Sequence, residues 1–358
     1  MSKKRIFKII TILLAIFLIA VGAASLIYLN FLKPVDRKDS SLIEFTIPYK
    51  ATSSEILDSL ETKGLIKSST FAKLYLKLHS ITNIQAGTYE LSKDMDLKTI
   101  LNKFSTGKVF DEEVTVTFIE GKRLSYYVNL ISKNFPYSEA EINNLLNDKD
   151  FLQELIDKYW FITDKILNKN IYYPLEGYIF PDTYNFKKDA SIKEIIITLI
   201  DGLNTKLAPY KETILNSGYT PHEILTLASI VELEGVDDTS RSKVASVFYN
   251  RLKSGWTLGS DVTTYYAVKK DFSSELTLDE YNKCNPYNTR STCVKGLPVG
   301  PICASGLESL KATINPDTTN YYYFVADKNK NTYYARTDSE FNAIIVDLKS
   351  RNLWYTYN

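Results

Sequence analysis

The spacing of apolar and polar residues divides the chain into an apolar beginning and a longer region of short alternating and helical segments. Residues 9–32 form an uncharged run that is long enough for one membrane-spanning helix. Beyond this run, alternation of period two predicts strands, and apolar residues repeating every three or four positions predict helices. The predicted strands are 43–48, 87–91, 114–118, 321–326 and 332–335; the predicted helices are 53–63, 69–78, 97–104, 124–133, 140–147, 150–160, 240–254 and one within 220–235. Ser53 or Ser54 is the predicted cap of the first of these helices.

The order of these elements predicts an α+β fold in several parts. Residues 1–8 form a short tail before the single transmembrane helix at 9–32. A small strand–helix–helix–strand module is predicted over 41–110, and a connecting strand–helix region over 111–170. The remaining part, 171–358, is predicted to be a mixed α/β domain. It contains a turn-rich segment at 175–184 and loops rich in Gly, Pro, Asn and Asp at 258–265, 285–288 and 296–302.

The residues before the apolar run predict its orientation in a membrane. Four cations precede it: Lys3, Lys4, Arg5 and Lys8. Positive charge of this kind favours a cytoplasmic N-terminus, so the rest of the chain is predicted to lie outside the cytoplasm. A cleaved signal peptide is the alternative, because residues 22–25 are small. The apolar run continues to residue 32, which favours an uncleaved single-pass anchor.

Charge and residue counts exclude some classes of function. The net charge of the 358 residues is +1, which gives no support for a nucleic-acid partner. The chain has two His, and the spacing of Cys284, Cys293 and Cys303 is not that of a zinc site, so we expect no metal and no cofactor. A Cys284–Cys293 disulfide, with Cys303 left over, is compatible with an extracytoplasmic location.

The segment 220–235, TPHEILTLASIVELEG, places acidic residues on a helix that is otherwise almost wholly apolar. Thr220 can cap this helix, Pro221 suits its first position, and Glu223 suits a capping box. The apolar residues after Glu223 point nearly all round the helix, so we expect it to be buried on most sides.

Two glutamates near the end of this helix are candidates for a general acid. Glu232 falls between Leu225 and Ala228 in projection, so we expect its carboxyl to be partly desolvated, which favours the protonated form. A helix end that reaches solvent explains glutamates equally well. The helical pattern alone does not choose between Glu232 and Glu234.

Seven motifs, in order behind the apolar run, resemble the endolytic murein transglycosylase family, also called the YceG-like family. They are LEGYIFPDTY at 175–184, LASIVELEG at 227–235, KVASVFYNRL at 243–252, SDVTTYY at 260–266, PYNT at 286–289, GLPVGPI at 296–302 and YYYFVAD at 321–327. The resemblance implies an anchored enzyme of the bacterial cell membrane with a LysM-like module at 41–110 and a catalytic domain at 171–358. Its catalytic acid would be the glutamate of the ASIVE-type motif, here Glu232.

The resemblance also implies the reaction. Such an enzyme cuts the bond between N-acetylmuramic acid and N-acetylglucosamine in nascent peptidoglycan strands, forms a 1,6-anhydro ring, and so terminates glycan elongation. Ordinary glycosidases use two carboxyl groups, whereas here one residue would serve first as acid and then as base. The implied partners are glycan strands, the cytoplasmic membrane, and the peptidoglycan synthases of the elongation or division machinery.

Five further residues are candidates for substrate contact, each with a structural alternative. Glu176 either orients substrate or holds its loop, and Glu234 either acts on Glu232 by like-charge repulsion or pairs with a cation. Asp261 and Asn288 either bind sugar hydroxyl or acetamide groups or form turns. Tyr287 either stacks on a sugar ring or packs in the core.

The chain departs from the family pattern at several positions, and two other functions are compatible with its sequence. Val262 and Val299 stand where the family usually has proline, and Arg290 stands where an aromatic residue is common. One alternative is a non-catalytic peptidoglycan-binding scaffold for wall-synthesis enzymes. Another is a glycan hydrolase in which Glu176 or Asp261 lies across the cleft from Glu232, a reaction that would leave reducing ends.

Overall fold

The structure is a computed structural model that describes residues 3–79, 81, 83–106, 113–235 and 237–354, without the side chains of residues 3–12, 15 and 238. The chain divides into two units, Met1–Glu112 and Glu113–Asn358. Helices alternate with short strands that pair in twos, an arrangement consistent with the predicted α+β class. The predicted tail ends at residue 8, and the predicted module ends at residue 110. The side chain of residue 8 and the whole of residue 110 lie outside the described set.

The first unit contains the predicted strand–helix–helix–strand order. Its elements are α1 (Lys3–Phe31), β1 (Ile43–Ile47), α2 (Ser53–Thr62), α3 (Ser69–Leu78), β2 (Gly87–Leu91) and α4 (Leu97–Thr106). Strands β1 and β2 are antiparallel, with Phe45 opposite Tyr89. Both rings are buried beside Phe104 of α4. The order of elements is confirmed, while the LysM-like identity stays a prediction.

The start of α2 differs from the prediction in its capping residue. Ser53 or Ser54 was the expected cap, but Thr52 accepts the Glu55 N–H, and the Glu55 carboxylate accepts the Thr52 N–H. This reciprocal pair is a capping box, which satisfies two backbone donors at once. The cap therefore lies one residue earlier than the expected pair.

The predicted membrane-spanning run overlaps α1. Near its end, the Phe31 ring stacks on Phe71 of α3 at 4.4 Å between ring centroids, so the helix packs against its own unit there. In the part of the chain that the structure describes, no helix combines the length and apolar character that crossing a bilayer requires.

Fifteen strands and α-helices belong to the described residues of the second unit. In chain order they are β3 (Glu113–Thr117), α5 (Leu124–Asn134), α6 (Glu139–Leu146), α7 (Lys149–Lys158), β4 (Thr183–Lys187), α8 (Ile192–Leu207), α9 (Lys211–Asn216), α10 (Pro221–Glu234), α11 (Asp238–Lys253), α12 (Asp261–Ala267), α13 (Leu278–Asn282), α14 (Leu307–Ile314), β5 (Tyr323–Ala326), β6 (Thr332–Ala335) and α15 (Asp338–Ser350). Strand β3 pairs antiparallel with β4, and β5 with β6.

Helix α10 lies between two hydrophobic clusters of the second unit. Ile224, Leu225 and Ala228 belong to a cluster with α5 and α8, whereas Ile230 and Val231 belong to one with α11 and α12. Every residue from 221 to 232 except Glu223 is buried, which confirms the helix predicted to be buried on most sides. The predicted capping box and the proline at the first position are also present.

Two loops of the sequence prediction contain regular structure. The turn-rich segment 175–184 leads into β4, whose Tyr184 pairs with Val116 of β3. The loop predicted at 258–265 contains α12, with Val262, Thr263 and Thr264 buried. Short elements rich in β-branched residues have weak helix propensity, so packing rather than local sequence determines this helix. Cys284 and Cys293 form a disulfide, and Cys303 is a buried free thiol.

Candidate active site

Glu232 lies in the last turn of α10, with 5% of its side chain exposed. Its Oε2 accepts a hydrogen bond from the backbone N–H of Gly306 at 2.9 Å. Its Oε1 lies 3.8 Å from Nη2 of Arg241, a mostly buried residue of α11. One carboxyl group is therefore largely withheld from water and still faces a backbone donor and a guanidinium.

The donor at Gly306 belongs to the N-terminus of α14, where Gly306 is the N-cap residue. The first backbone N–H groups of a helix have no partner within the helix and carry partial positive charge. Together with Arg241, this N–H can stabilise the ionised form of Glu232. The charge that burial disfavours is thus compensated at both oxygens.

Two glycines lie beside Glu232. A Cβ on Gly121, which has a φ of +71°, would lie 3.9 Å from Glu232 Oε1. A Cβ on Gly306 would lie 3.4 Å from Glu232 Oε2, and it would overlap Oε2 of Glu120. The structure therefore brings the loop at 120–121 and the loop at 304–306 to the same carboxyl group.

Glu176 is buried and holds two other elements in place. Its Oε1 accepts the Leu124 N–H at 2.8 Å, and its Oε2 accepts the Tyr266 hydroxyl at 3.0 Å. Burial raises the pKa of Glu176 to about 7, while the Leu124 N–H, the Tyr266 hydroxyl and the nearby Arg123 charge oppose the rise. Since Leu124 begins α5 and Tyr266 belongs to α12, this geometry favours a role in positioning over substrate contact.

The carboxyl group of Glu234 contacts different residues from those around Glu232. Its Oε1 accepts a 2.6 Å hydrogen bond from the Ser260 hydroxyl at the start of α12. Burial raises the pKa of Glu234, and the Asp261 charge adds to the rise. Asp261 itself forms a half-exposed ion pair with Arg290. The structure therefore groups Glu234 with Asp261, away from the partners of Glu232.

Asn288 and Tyr287 lie inside the protein, and neither is exposed. The Asn288 amide oxygen accepts the Thr264 hydroxyl at 2.8 Å, and its amide nitrogen donates to backbone carbonyls of residues 280, 281 and 283. The Tyr287 ring packs between Tyr172 and Tyr266, at 4.8 and 4.7 Å between centroids. Their predicted contact with substrate stays a prediction, and this geometry favours a role in closing the loop around them.

Three groups beside Glu232 are not among the predicted site residues: Glu120, Arg241 and the Gly306 N–H. Glu120 lies between the predicted strand 114–118 and the predicted helix 124–133, and Arg241 lies within the predicted helix 240–254. A glycine cap at 306 carries no side chain that could signal a role. These groups come from residues 9 to 112 positions away from Glu232, so no local pattern links them.

Comparison with known proteins decides the family. A model of the YceG-like family matches residues 45–346 of the chain. The chain belongs to the YceG-like family. It is 35% identical over 325 residues to the endolytic murein transglycosylase of Bacillus subtilis, covering 90% of this chain and 89% of that protein.

Two further proteins are similar to this YceG-like chain: one is a longer enzyme, and the other is a solved structure. The endolytic murein transglycosylase of Streptococcus pneumoniae serotype 2 is 29% identical over 337 residues, and the match spans 89% of this chain and 60% of that protein. The crystal structure of a yceG-like protein from Listeria monocytogenes is similar with a TM-score of 0.61 and 33% identity, covering 85% of this chain and 99% of that one. The resemblance drawn from the seven motifs is confirmed at the level of the family.

Proposed function

We propose that this chain is an endolytic lytic transglycosylase that cuts peptidoglycan glycan strands with Glu232 as its acid and base. The activity is that named for its Bacillus and Streptococcus relatives. The observation that supports the assignment is the setting of Glu232, a buried carboxyl between the Gly306 N–H and Arg241. No other acidic residue of the sequence prediction has such a setting in the described part of the chain.

The reaction has two steps. Protonated Glu232 gives its proton to the glycosidic oxygen between N-acetylmuramic acid and N-acetylglucosamine, and the C1–O bond breaks with its electron pair on the leaving oxygen. Ionised Glu232 then takes the proton of the C6 hydroxyl as O6 bonds to C1. The product is a 1,6-anhydro ring, no water is consumed, and Glu232 is protonated again.

The groups around Glu232 are placed to stabilise its carboxylate between the two steps, when it has given up its proton. During that interval the carboxylate carries a full charge in a site from which water is mostly excluded. The Gly306 N–H and the Arg241 guanidinium are already in place to stabilise it, without reorganisation at the moment of reaction. Gly121 leaves room beside Oε1 for the oxygen that receives the proton.

The proposed location is the outer face of the cytoplasmic membrane, with residues 9–32 as a single-pass anchor. Its support is the uncharged run itself and the four cations before it. Anchoring there would place Glu232 beside newly made strands, so we propose that cleavage terminates their elongation. Contact with wall-synthesis enzymes is the corresponding proposal for partners.

The experiment is mass spectrometry of the fragments released from purified peptidoglycan by the full chain in detergent. Glu232→Gln is the test variant, and Glu308→Gln, a half-exposed glutamate paired with Lys311, is the matched control. We expect 1,6-anhydro ends with the wild-type and control proteins and none with Glu232→Gln. Reducing ends would establish a hydrolase instead, and binding without cleavage would establish the scaffold.

A further inference from the structure

A second carboxyl group faces Glu232 across Gly306. Glu120 lies between β3 and α5, on a loop whose neighbours are fixed by backbone contacts. The Tyr127 hydroxyl donates to the Ile119 carbonyl at 2.6 Å, and the Gly121 N–H donates to the Ala304 carbonyl at 2.8 Å. The Ala304 N–H donates back to the Lys122 carbonyl at 3.0 Å. The backbone on either side of Glu120 is therefore tied to the loop that leads to Gly306.

The absence of a side chain at Gly306 is what allows the two carboxyl groups to approach. A Cβ there would overlap Glu120 Oε2 and would lie 3.4 Å from Glu232 Oε2. These two oxygens are consequently no farther apart than the roughly 5 to 5.5 Å between the carboxyl groups of retaining glycosidases. The φ of Gly306 is −71°, which any residue can adopt, so the glycine is required by space rather than by backbone conformation.

The surroundings of the two carboxyl groups differ in the way that separates an acid from a charge stabiliser. Glu232 is almost wholly buried, whereas Glu120 is exposed. Paired carboxyl groups in unlike environments commonly take different roles, one as acid and the other as charge stabiliser. By position, Glu232 is the buried member of the pair and Glu120 is the member placed to supply charge beside it.

We propose that Glu120 is a second catalytic residue, whose carboxylate stabilises the positive charge that develops at C1 and the ring oxygen as the glycosidic bond breaks. The proposal rests on the cleavage reaction proposed above and adds no covalent step to it. The proton still passes from Glu232 to the leaving oxygen, and C1 still bonds to O6. Glu120 acts only through its charge.

Glu176 and Asp261, the two carboxyl groups that the sequence suggests for such a position, are held at other places in the second unit. Glu176 is buried and accepts hydrogen bonds from Leu124 and Tyr266. Asp261 is ion-paired with Arg290, beside Glu234. Within the described residues, Glu120 is the carboxyl group that shares the Gly306 position with Glu232.

The test measures initial rates of strand cleavage by the full chain in detergent, over a range of glycan concentrations. For Glu120→Gln we expect kcat to fall roughly 100-fold, the size of effect seen when one preorganised charge-stabilising group is lost. KM should change by less than about threefold, because a group that acts on the transition state contributes little to ground-state binding. Glu308→Gln should have the wild-type kcat, and the thermal melting temperature of Glu120→Gln should match that of the wild type.

A second variant tests the geometry itself. Gly306→Ala keeps the Glu120 carboxylate but places a methyl group where its Oε2 lies, so kcat should fall in this variant too. In the Glu120→Gln background the same change should cause a much smaller further loss, because the charge that it displaces is already absent.

The outcomes separate the two proposals. Wild-type kcat in Glu120→Gln, or a raised KM with kcat unchanged, would overturn the role of Glu120 while leaving the proposed reaction standing. Wild-type kcat in Gly306→Ala would overturn its placement. Failure of the wild-type protein to cleave any strand would instead overturn the proposed function on which the inference rests.

Discussion

Replacing Glu176 with Gln should make the free energy of unfolding of the second unit less sensitive to rising pH. Burial raises the pKa of Glu176 from its ordinary 4.5 to about 7. The folded protein thus holds this proton more tightly than the unfolded chain, so its contribution to stability is full below pH 4.5 and falls as pH rises to about 7. Because one pH unit corresponds to about 1.4 kcal/mol, ionisation lowers the free energy of unfolding by about 3 kcal/mol.

Glutamine cannot ionise, and its amide oxygen can still accept the Leu124 N–H. Reversing the hydrogen bond with Tyr266 costs about 1 kcal/mol, a typical value for one such bond. At pH 4 we therefore expect Glu176→Gln to be about 1 kcal/mol less stable than the wild type, and at pH 8 about 2 kcal/mol more stable. The assay is urea unfolding followed by tryptophan fluorescence. The three tryptophans, at 160, 256 and 354, all belong to the unit Glu113–Asn358, so the signal reports on that unit.

The matched control is Glu308→Gln, whose carboxyl is half-exposed and paired with Lys311. Its free energy of unfolding should follow that of the wild type across the pH range. If the difference in unfolding free energy between Glu176→Gln and the wild type were the same at pH 4 and pH 8, the burial argument would be refuted. A variant that lost stability relative to the wild type as pH rose would refute its sign.

Three further outcomes follow from the contacts of the second unit. Arg241→Gln should lower kcat by roughly 10- to 100-fold, because the charge facing ionised Glu232 is lost; a steady-state assay that shows only a raised KM would contradict this. Replacing Cys284 and Cys293 with Ser opens a loop with a sequence separation of 9 and should lower the free energy of unfolding by about 2 to 3 kcal/mol, which urea unfolding measures. Asn288→Ala should lower it by about 3 kcal/mol, because several buried backbone and hydroxyl groups lose their partner; a loss under 1 kcal/mol would leave the amide available for substrate.

Local signals in the sequence are sufficient for most of the helices and strands. Thr220, Pro221 and Glu223 predict the start of α10, and the structure has the capping box and the proline as expected. Helix α3 and strand β2 have the bounds that the pattern predicts. Capping and period-based patterning act within a few residues, so one sequence contains the information that they need.

Elements stabilised by distant partners were harder to predict. Strand β4 pairs with β3 across 66 residues at Thr117 and Thr183, and nothing near position 183 specifies that partner. Helix α12 forms where its β-branched residues pack in the core, although their propensity for helix is weak. The same reason explains the site: Glu232 could be selected from its motif, but the groups that surround it come from other loops.

The arrangement of Glu232 and Glu234 shows why burial alone could not choose between them. Residues two positions apart on a helix point about 200° apart, so the two side chains face different neighbours. Glu234 faces the Ser260 hydroxyl, a contact that already occupies its carboxyl. Glu232 faces two glycines, Gly121 and Gly306, which bring no side chain of their own to its oxygens. A carboxyl can transfer a proton to a substrate only where the substrate can reach it, so glycine at these two positions on distant loops distinguishes the candidate acid from its neighbour.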